Sequence, residues 1–502
     1  MSSGRQGCSV ALAALLAGGL AACAVGPRYA APAAPAVGGY TTELALDEHF
    51  PVAGVATQTL DAQTPVGAHW WKEFASGKLD ALVAVALAHN PTIGAAQATL
   101  EQARFEVKAA QGAFFPHVAA NLGAEREHPS GAATGGNFGS QTYNVYTGQL
   151  AVGYNPDVFG INRLVTRAAE AQVDVAASQL AAARLAIAGN VVSTTVALAA
   201  LNAELQATRK TMTEQERILK LTRARYTLGA TDETPVLTQQ SLLASTRASL
   251  AQLAQARDKA LHLLATLTGE FPAQLDTARI PALDEMTLPA TLPLSLPSQL
   301  VRQRPDIRAA EAQLRGANAQ VGEAVARMYP ILQVTADFGT QSNLTRTFFD
   351  PASRIWDIAA GLAAPLFEGG TLRAQKHAAE AAYRSVFANY QGTVLDAFRD
   401  VADVLRALQH DAEFLQAQTT ARDTSQRALT LVTTRYQAGD VDLLPVLTNE
   451  IQYQNARIAW VQAAAQRYAD TAGLYVALGG GEWPETTTSA THVRASAAAT
   501  VD

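Results

Sequence analysis

Two halves of the chain repeat each other at a nearly constant offset, and this duplication constrains the fold more than any other feature. Four separate motifs recur 210 or 214 residues further along. The pairs are NP at 90–91 and RP at 304–305, RAAEA at 167–171 and HAAEA at 377–381, RYTLG at 225–229 and RYQAG at 435–439, and PVLT at 235–238 and 445–448. Such a repeat predicts that the fold consists of two copies of one structural unit.

Each copy contains two runs in which apolar and polar residues alternate. The apolar positions are Val118, Ala120, Leu122 and Ala124 in the first run, Tyr143, Tyr146, Leu150 and Tyr154 in the second, Leu332, Val334, Ala336 and Phe338 in the third, and Trp356, Ile358, Ala360 and Leu362 in the fourth. This period predicts strands with one apolar and one polar face. A length of about 10 residues suits a membrane-spanning strand, although a soluble sandwich strand alternates in the same way. Membrane barrels need about 8 strands, so membrane strands would be pooled from several chains, and three chains would give twelve.

Long stretches without proline predict two very long helices, at about 160–226 and 371–436. Apolar residues in the second recur at a mean spacing of about 3.5 residues, which is typical of a coiled coil. Each stretch is followed by a glycine turn, at Gly229 or Gly439, and then by a shorter helix. Each copy therefore predicts a helical hairpin, and the spacing is compatible with both a helical tube and a coiled-coil stalk.

The N-terminus has the features of an export signal. Residues 1–22 contain Arg5 followed by an apolar run, and LAAC at 20–23 resembles the lipobox of bacterial lipoproteins. The lipobox predicts that Cys23 is acylated, whereas the alternative is an ordinary signal peptide that happens to contain a cysteine. Ala24 is unlike the aspartate that retains such lipoproteins in the inner membrane, so the resemblance implies the outer membrane.

Composition and motifs argue against other classes of protein. A net charge of −6 gives no basic surface for nucleic acid. The nine histidines lack metal-ligand spacing, and HExxH, Walker and GxSxG motifs are absent from the sequence. We therefore predict no enzymatic activity, no cofactor and no metal site.

Together these features resemble the TolC-like outer-membrane efflux proteins (outer membrane factors), in particular the lipidated NodT-type branch that serves resistance–nodulation–division (RND) pumps. The specific marks are CAVGPRY at 23–29, WWKEF at 70–74, HNP at 89–91, PLF at 365–367 and the tip motifs RYTLG and RYQAG. The resemblance implies a mostly α fold with membrane β-strands, assembled as a homotrimer. A twelve-stranded barrel would lie in outer-membrane lipid and the helices would form a tunnel across the periplasm. A mixed collar would come from the Trp70 region, residues 270–297 and the C-terminal end.

The repeats and the resemblance divide the chain into five parts. These are a signal peptide (1–22), a lipid-anchored segment (23–66), a first repeat (67–297, with a β-hairpin at 117–155 and a helical hairpin at 160–268), a second repeat (298–484, with a β-hairpin at 331–367 and a helical hairpin at 371–478) and a disordered tail (485–502).

The resemblance also implies roles for residues at the hairpin tips. The motif residues Arg225, Tyr226, Gly229, Arg435, Tyr436 and Gly439 would form the adaptor groove and the closed-state contacts. Leu444 falls where the family often has an apolar constriction, and Thr448 falls where many members have an aspartate ring. Asp232, Glu233, Asp440 and Asp442 would supply a negative ring instead, or would simply complement the helix dipole.

The predicted function is therefore an exit duct in the outer membrane. Small molecules would reach it from an inner-membrane RND-type pump through a periplasmic adaptor (membrane fusion protein), and the helix tips would act as the gate. The alternatives are a type I protein-secretion channel and a non-conducting, lipid-anchored coiled-coil scaffold of the envelope.

Overall fold

The computed structural model describes most of the chain. The described residues are 25–37, 39–41, 49–50, 58–61, 64–128, 130, 142–295 and 297–481. The predicted signal peptide (1–22), the predicted lipidation site Cys23 and the predicted tail (485–502) lie outside the described residues.

The described residues form eight α-helices and seven β-strands. The helices are α1 (Gly77–His89), α2 (Pro91–Gly112), α3 (Ile161–Thr227), α4 (Thr234–Thr268), α5 (Pro297–Gln303), α6 (Pro305–Ala326), α7 (Thr371–Gln437) and α8 (Leu443–Ala477). The strands are β1 (His49–Phe50), β2 (Gln58–Asp61), β3 (His117–Glu127), β4 (Tyr143–Tyr154), β5 (Thr291–Pro293), β6 (Ile331–Ser342) and β7 (Arg354–Ala363).

The duplication predicted from the sequence is visible in the helices. The long helices α3 and α7 both have 67 residues, and the returning helices α4 and α8 both have 35. The helices α2 and α6, which precede the strands, both have 22. Equal lengths at nearly the offset of the sequence motifs confirm that the fold is a tandem repeat. We call α3 with α4 the first helical hairpin and α7 with α8 the second.

The chain divides into two compact units. Of the described residues, the first unit comprises those in 25–32, 99–176 and 309–391, and it contains the larger sheet. The second comprises those in 33–98, 177–308 and 392–481, and it contains the tips of both helical hairpins.

In the first unit, β3, β4, β6 and β7 form one antiparallel sheet in that order. Opposed residues carry their side chains on the same face, so the register defines two faces. The apolar face comprises Val118, Ala120, Leu122, Ala124, Arg126, Asn144, Tyr146, Gly148, Leu150, Val152, Tyr154, Leu332, Val334, Ala336, Phe338, Thr340, Ser342, Arg354, Trp356, Ile358, Ala360 and Leu362. It is exposed in the chain, since Leu122 is 88% and Trp356 74% exposed.

The polar face of the sheet carries carboxylates and amides. The charged residues on it are Glu125, Glu127, Asp337 and Asp357. Tyr143 also lies on the polar face, opposite Glu127, to whose carboxylate its hydroxyl donates a hydrogen bond of 2.8 Å. The assignment of Tyr143 to the apolar face was therefore wrong, because it is an odd number of residues from Tyr146.

Strand β7 ends earlier than the sequence predicted. The second β-hairpin was expected to reach residue 367, but its pairing stops at Ala363. Pro365 has no N–H to donate, so it cannot extend a ladder. Leu366 and Phe367, which follow it, are 96% and 89% exposed.

The three segments expected to form a collar meet in the second unit. The Trp70 ring, 1% exposed, stacks on the Tyr475 ring with 5.3 Å between centroids. The Thr287 N–H donates to the Phe74 carbonyl at 2.9 Å. A small sheet with the order β1-β2-β5 completes this region, with β2 and β5 parallel.

The residue before the proline that begins α2 or α6 binds the end of the returning helix of the same repeat. The Asn90 Nδ2 donates to the Leu267 carbonyl at 2.9 Å. The Arg304 Nη1 donates to the Ala477 carbonyl at 2.8 Å. The two donors are 214 residues apart and the two acceptors 210, so these bonds are copies of one contact. We call them the repeat clamps.

The second repeat clamp has an ionic part. The Arg304 side chain, 10% exposed, pairs with Asp306 at 2.7 Å and with Asp400 at 3.2 Å. Asn90 instead accepts the Thr92 N–H at 2.8 Å through its side-chain oxygen, which caps the start of α2.

Among the described residues, helix α3 contains an 18-residue stretch that is long and apolar enough to cross a membrane, but 67% of this stretch is buried within the protein. Residues 185–203 carry no charge. In this stretch Gly189 faces α8, and a side-chain Cβ there would lie 2.7 Å from Val476. Close packing of this kind is typical of a core helix.

Candidate functional site at the hairpin tips

The tip turns are closed by the glycines of the two tip motifs. Gly229 has a φ of 69° and Gly439 a φ of 83°, a backbone region that glycine enters without steric cost. In the first turn the Ala230 N–H donates to the Arg225 carbonyl at 2.8 Å, and the second turn has the equivalent bond at 2.9 Å. Each long helix therefore ends in the same left-handed cap.

Arg225 and Tyr436 connect the two hairpin tips. The Arg225 Nη1 donates a hydrogen bond to the Tyr436 hydroxyl oxygen at 2.8 Å. The guanidinium carbon also lies 5.1 Å from the centre of the Tyr436 ring, within range of a cation–π attraction. The structure thus brings together two of the residues predicted at the tips, Arg225 from the first tip motif and Tyr436 from the second. Tyr226, the counterpart of Tyr436, is 43% exposed.

A cavity of about 630 Å³ lies beside this contact. Its lining includes Arg225, Asp232, Tyr436, Gly439, Asp442 and Leu444, all predicted from the sequence. Two carboxylates and one guanidinium therefore face the same space, whereas Glu233, Asp440 and Thr448 are not part of its lining.

The acidic residues at the N-termini of α4 and α8 do not cap these helices with their side chains. Glu233 and Asp442 occupy the N-cap positions of α4 and α8, but neither side chain accepts a capping hydrogen bond. The Thr448 hydroxyl donates to the Leu444 carbonyl of its own helix at 3.0 Å. Leu444 itself is 66% exposed. The negative ring and the apolar constriction stay predictions.

Glu450 is a buried acid that the sequence analysis missed. It is 5% exposed and lines a second cavity, of about 360 Å³, with Glu214, Arg217 and Lys210. Burial, with a smaller contribution from the charge of Glu214, raises the pKa of Glu450 to about 7. Its burial could have been predicted from the spacing, because Glu450 follows the buried Val446 by one helical turn and so lies on the same face of α8.

We predict that Glu450→Gln removes a pH-dependent loss of stability. A carboxyl whose pKa is raised by folding holds its proton more tightly in the folded state, so the wild-type protein loses stability as pH rises from about 4.5 through 7. At pH 8 the variant should be more stable by about 3 kcal/mol per chain, and at pH 4 the two should be equal. Chemical unfolding in detergent at both pH values, followed by helical circular dichroism, measures this.

The control for that experiment is Glu413→Gln, which changes an acid whose side chain is 73% exposed. It should leave the pH dependence unchanged. A pH profile of Glu450→Gln that parallels the wild-type profile would show that Glu450 is already ionised at no cost.

Within the described part of the chain, no group of three or more His, Cys, Asp or Glu side chains has the geometry of a metal site. The candidate site therefore consists of tip turns, the Arg225–Tyr436 contact and two cavities. Its chemistry is that of packing, hydrogen bonding and charge.

Comparison with protein families gives one match that covers both repeats. The model of the family described as "Outer membrane efflux protein" matches residues 82–270 and 296–480. The chain belongs to this family. The two matched segments coincide with the two halves of the tandem fold.

Individual relatives agree with this assignment. The chain is 32% identical over 417 residues to the pyoverdine export outer membrane protein OpmQ of Pseudomonas aeruginosa. This alignment covers 82% of this chain and 87% of OpmQ. The chain is 30% identical over 484 residues to the outer membrane protein OprJ of the same species, and this alignment covers 94% of this chain and 96% of OprJ. The solved outer-membrane channel OprN superposes with a TM-score of 0.81 at 26% identity, over 91% of this chain and 99% of OprN.

These matches confirm the family resemblance, the fold class, the outer-membrane location and the role of an efflux exit duct. The family consists of efflux channel proteins. The domain boundaries, the roles of the tip residues, the lipidation of Cys23 and the absence of enzymatic activity stay predictions.

Proposed function

We propose that this efflux protein works as a homotrimer whose pooled strands form a twelve-stranded barrel in the outer membrane. The observation that carries the proposal is the exposed apolar face of the four-stranded sheet. Leu122, Trp356 and Ile358 on this face are 88%, 74% and 72% exposed. Contiguous apolar surface of this kind marks an interaction site, and contact with lipid tails removes it from water.

The edges of the sheet support the trimer. Strands β3 and β7 each pair on one side only within the described sheet. Open edges are not tolerated in lipid, because their backbone groups have no water to bind. Pairing β7 of one copy with β3 of the next satisfies both edges, and three copies of four strands exceed the minimum of about 8 for a membrane barrel.

Family membership supports the rest of the proposed assembly. A periplasmic adaptor would dock at the hairpin tips, with Arg225, Tyr226, Gly229, Arg435, Tyr436 and Gly439 in its groove, and an RND-type inner-membrane pump would supply the energy. Acylation of Cys23 would anchor the chain in lipid. The relative named for pyoverdine export supports a small-molecule cargo. The duct itself would carry out no chemistry and need no cofactor.

The gate is the part of the proposal that the tip geometry supports. The Arg225–Tyr436 contact, with its hydrogen bond of 2.8 Å, joins the two helical hairpins. Loosening it would let the hairpins separate. Asp232, Glu233, Asp440 and Asp442, three times repeated around a trimer axis, would repel one another and attract cations. Leu444 and Thr448 would line the same constriction.

The test is to purify the mature protein from outer membranes, measure its mass in detergent and record single-channel currents in a planar bilayer. We expect a trimer of small conductance. Tyr436→Phe removes the hydroxyl that accepts from Arg225, so it should raise the mean conductance at least about twofold, since a lost hydrogen bond to a charged group weakens the closed state. The matched control is Tyr383→Phe, which removes a hydroxyl from the same helix α7 in the other compact unit and should conduct as the wild type does.

Three results would overturn parts of the proposal. A monomer, or a trimer that does not conduct, would contradict the barrel and leave a lipid-anchored scaffold. Identical conductance in the two tyrosine variants would remove Arg225–Tyr436 from the gate. Export of a protein substrate in cells would favour the type I secretion channel.

A further inference from the structure

The loop between β6 and β7 folds onto the apolar face of the sheet. The Phe348 ring covers Gly148, where an added Cβ would lie 2.8 Å from the Phe348 Cζ and 3.3 Å from the Leu122 side chain. Ser342, at the end of β6 on the same face, is buried by the loop. The loop therefore lies on the face that the proposed function assigns to lipid.

Hydrogen bonds hold this loop in place. The Ser342 hydroxyl shares a bond of 2.6 Å with the Thr347 hydroxyl and accepts the Leu344 N–H at 3.2 Å. The Ser353 hydroxyl donates to the Thr347 carbonyl at 2.7 Å, which fastens the far end of the loop. The aromatic side chains of the loop are thus presented by a fixed backbone.

The folded loop creates an open apolar groove of about 420 Å³ against the sheet. Its lining includes Leu122, Tyr146, Phe348 and Phe349. The two phenylalanine rings meet edge to face, with 5.0 Å between centroids. Phe349 is nevertheless 86% exposed, so the groove has an apolar wall that the described chain does not cover.

Three arginines lie at the same end of the apolar face. Arg126 is two residues beyond Ala124 on the face, Arg354 lies opposite Thr340, and Arg346 is in the loop itself. All three are exposed, and none forms an ion pair with a described residue. Arg126 and Arg354 lie next to apolar residues of this face, so one ligand can contact the arginines and the apolar surface together.

This end of the sheet is the one joined by loops, whereas the other end is joined to α2, α3, α6 and α7. Since the helices of the proposed duct lie in the periplasm, the loop end faces the outer leaflet. A ligand with acyl chains and more than one phosphate would match this surface, because the groove is apolar and the three guanidinium groups are spread across β3, the loop and β7.

We propose that this surface binds lipid A of lipopolysaccharide, with an acyl chain in the Phe348–Phe349 groove and the phosphates on Arg126, Arg346 and Arg354. This inference rests on the proposed membrane-spanning function. Ordinary phospholipids carry one phosphate per headgroup, so they would engage the arginines less completely.

The test is a titration of the detergent-solubilised full-length mature protein with hexa-acylated, bisphosphorylated lipid A, in which native mass spectrometry counts bound molecules. The triple variant Arg126→Ser, Arg346→Ser, Arg354→Ser should bind about 10-fold more weakly, because it loses the charge-assisted bonds to phosphate. Phe349→Ser should weaken binding about 5-fold through lost apolar contact. Because these side chains are exposed, the variants keep the fold.

The charge-matched control replaces three other exposed arginines of the same unit, Arg104, Arg373 and Arg384, with serine. It should bind lipid A as the wild type does. Equal weakening in both triple variants, or equal wild-type affinity for phosphatidylglycerol and lipid A, would overturn the assignment. Removal of one phosphate from lipid A should weaken wild-type binding and leave the Arg126, Arg346, Arg354 variant unchanged.

Planar-bilayer currents separate this inference from the function on which it rests. A wild-type trimer that conducts but does not prefer lipid A refutes the lipid A site alone. A wild-type protein that neither trimerises nor conducts refutes the duct, and with it the assignment of the loop end to the outer leaflet.

Discussion

Replacing Arg304 with alanine should lower the free energy of unfolding by about 3 kcal/mol per chain. The guanidinium, 10% exposed, satisfies the Ala477 carbonyl at the end of α8 and pairs with Asp306 and Asp400. Its removal leaves the carbonyl without this donor and Asp306 without this cation, whereas Asp400 keeps its pair with Arg399 at 3.1 Å. The value is at the low end for a buried ion pair, because both carboxylates are about 40% exposed. Chemical unfolding in detergent, followed by circular dichroism, measures the loss.

Two further variants isolate the cause. Arg302→Ala removes a neighbouring exposed arginine and should change stability by less than about 0.5 kcal/mol. Arg304→Asn installs the residue that the first repeat uses at the equivalent position, so it should recover part of the loss by donating to Ala477. If Arg304→Asn is as unstable as Arg304→Ala, the ionic part and not the bond to the helix end is responsible.

Neutralising Asp337 and Asp357 should reduce the cation selectivity of the channel several-fold. These two carboxylates are directly opposed on β6 and β7, on the face that lines the lumen of the proposed barrel. The described strand residues of the polar face include Glu125 and Glu127 but no lysine or arginine. A lumen of one sign concentrates counter-ions. Reversal potentials in a salt gradient measure the permeability ratio of K⁺ to Cl⁻ for Asp337→Asn with Asp357→Asn.

The matched control is Asp350→Asn, an exposed acid in the loop between the same strands, which should leave the ratio unchanged. Charge reversal of Asp440 and Asp442 tests the competing location at the hairpin tips. If only the tip variants change the permeability ratio of K⁺ to Cl⁻, the selectivity filter lies in the helical part and the strand carboxylates do not contribute to selectivity.

Local rules accounted for most of the fold. Chain reversal at the tips was predictable because Gly229 and Gly439 follow long helices without proline, and both adopt positive φ. Alternation located all four strands of the sheet, since it reports directly on which side chains share a face. The errors came where alternation or pairing breaks, at Tyr143 and after Ala363.

The site was less predictable, because contacts between distant segments leave no local pattern. Arg225 and Tyr436 were both identified through their motifs, but their hydrogen bond joins residues 211 positions apart. Glu450 was overlooked, because an acid in an amphipathic helix normally faces water. Its burial depends on the neighbouring helix that supplies Glu214.

The repeat clamps also bear on the order in which the protein can fold during export. Asn90 binds the carbonyl of Leu267, and Arg304 binds that of Ala477, so each clamp uses residues of its own repeat only. The first clamp can therefore close before Arg304 has emerged from the translocation machinery. Each repeat has its own clamp. A chain exported from its N-terminus can therefore form the clamp of the first helical hairpin while the second is still crossing the inner membrane.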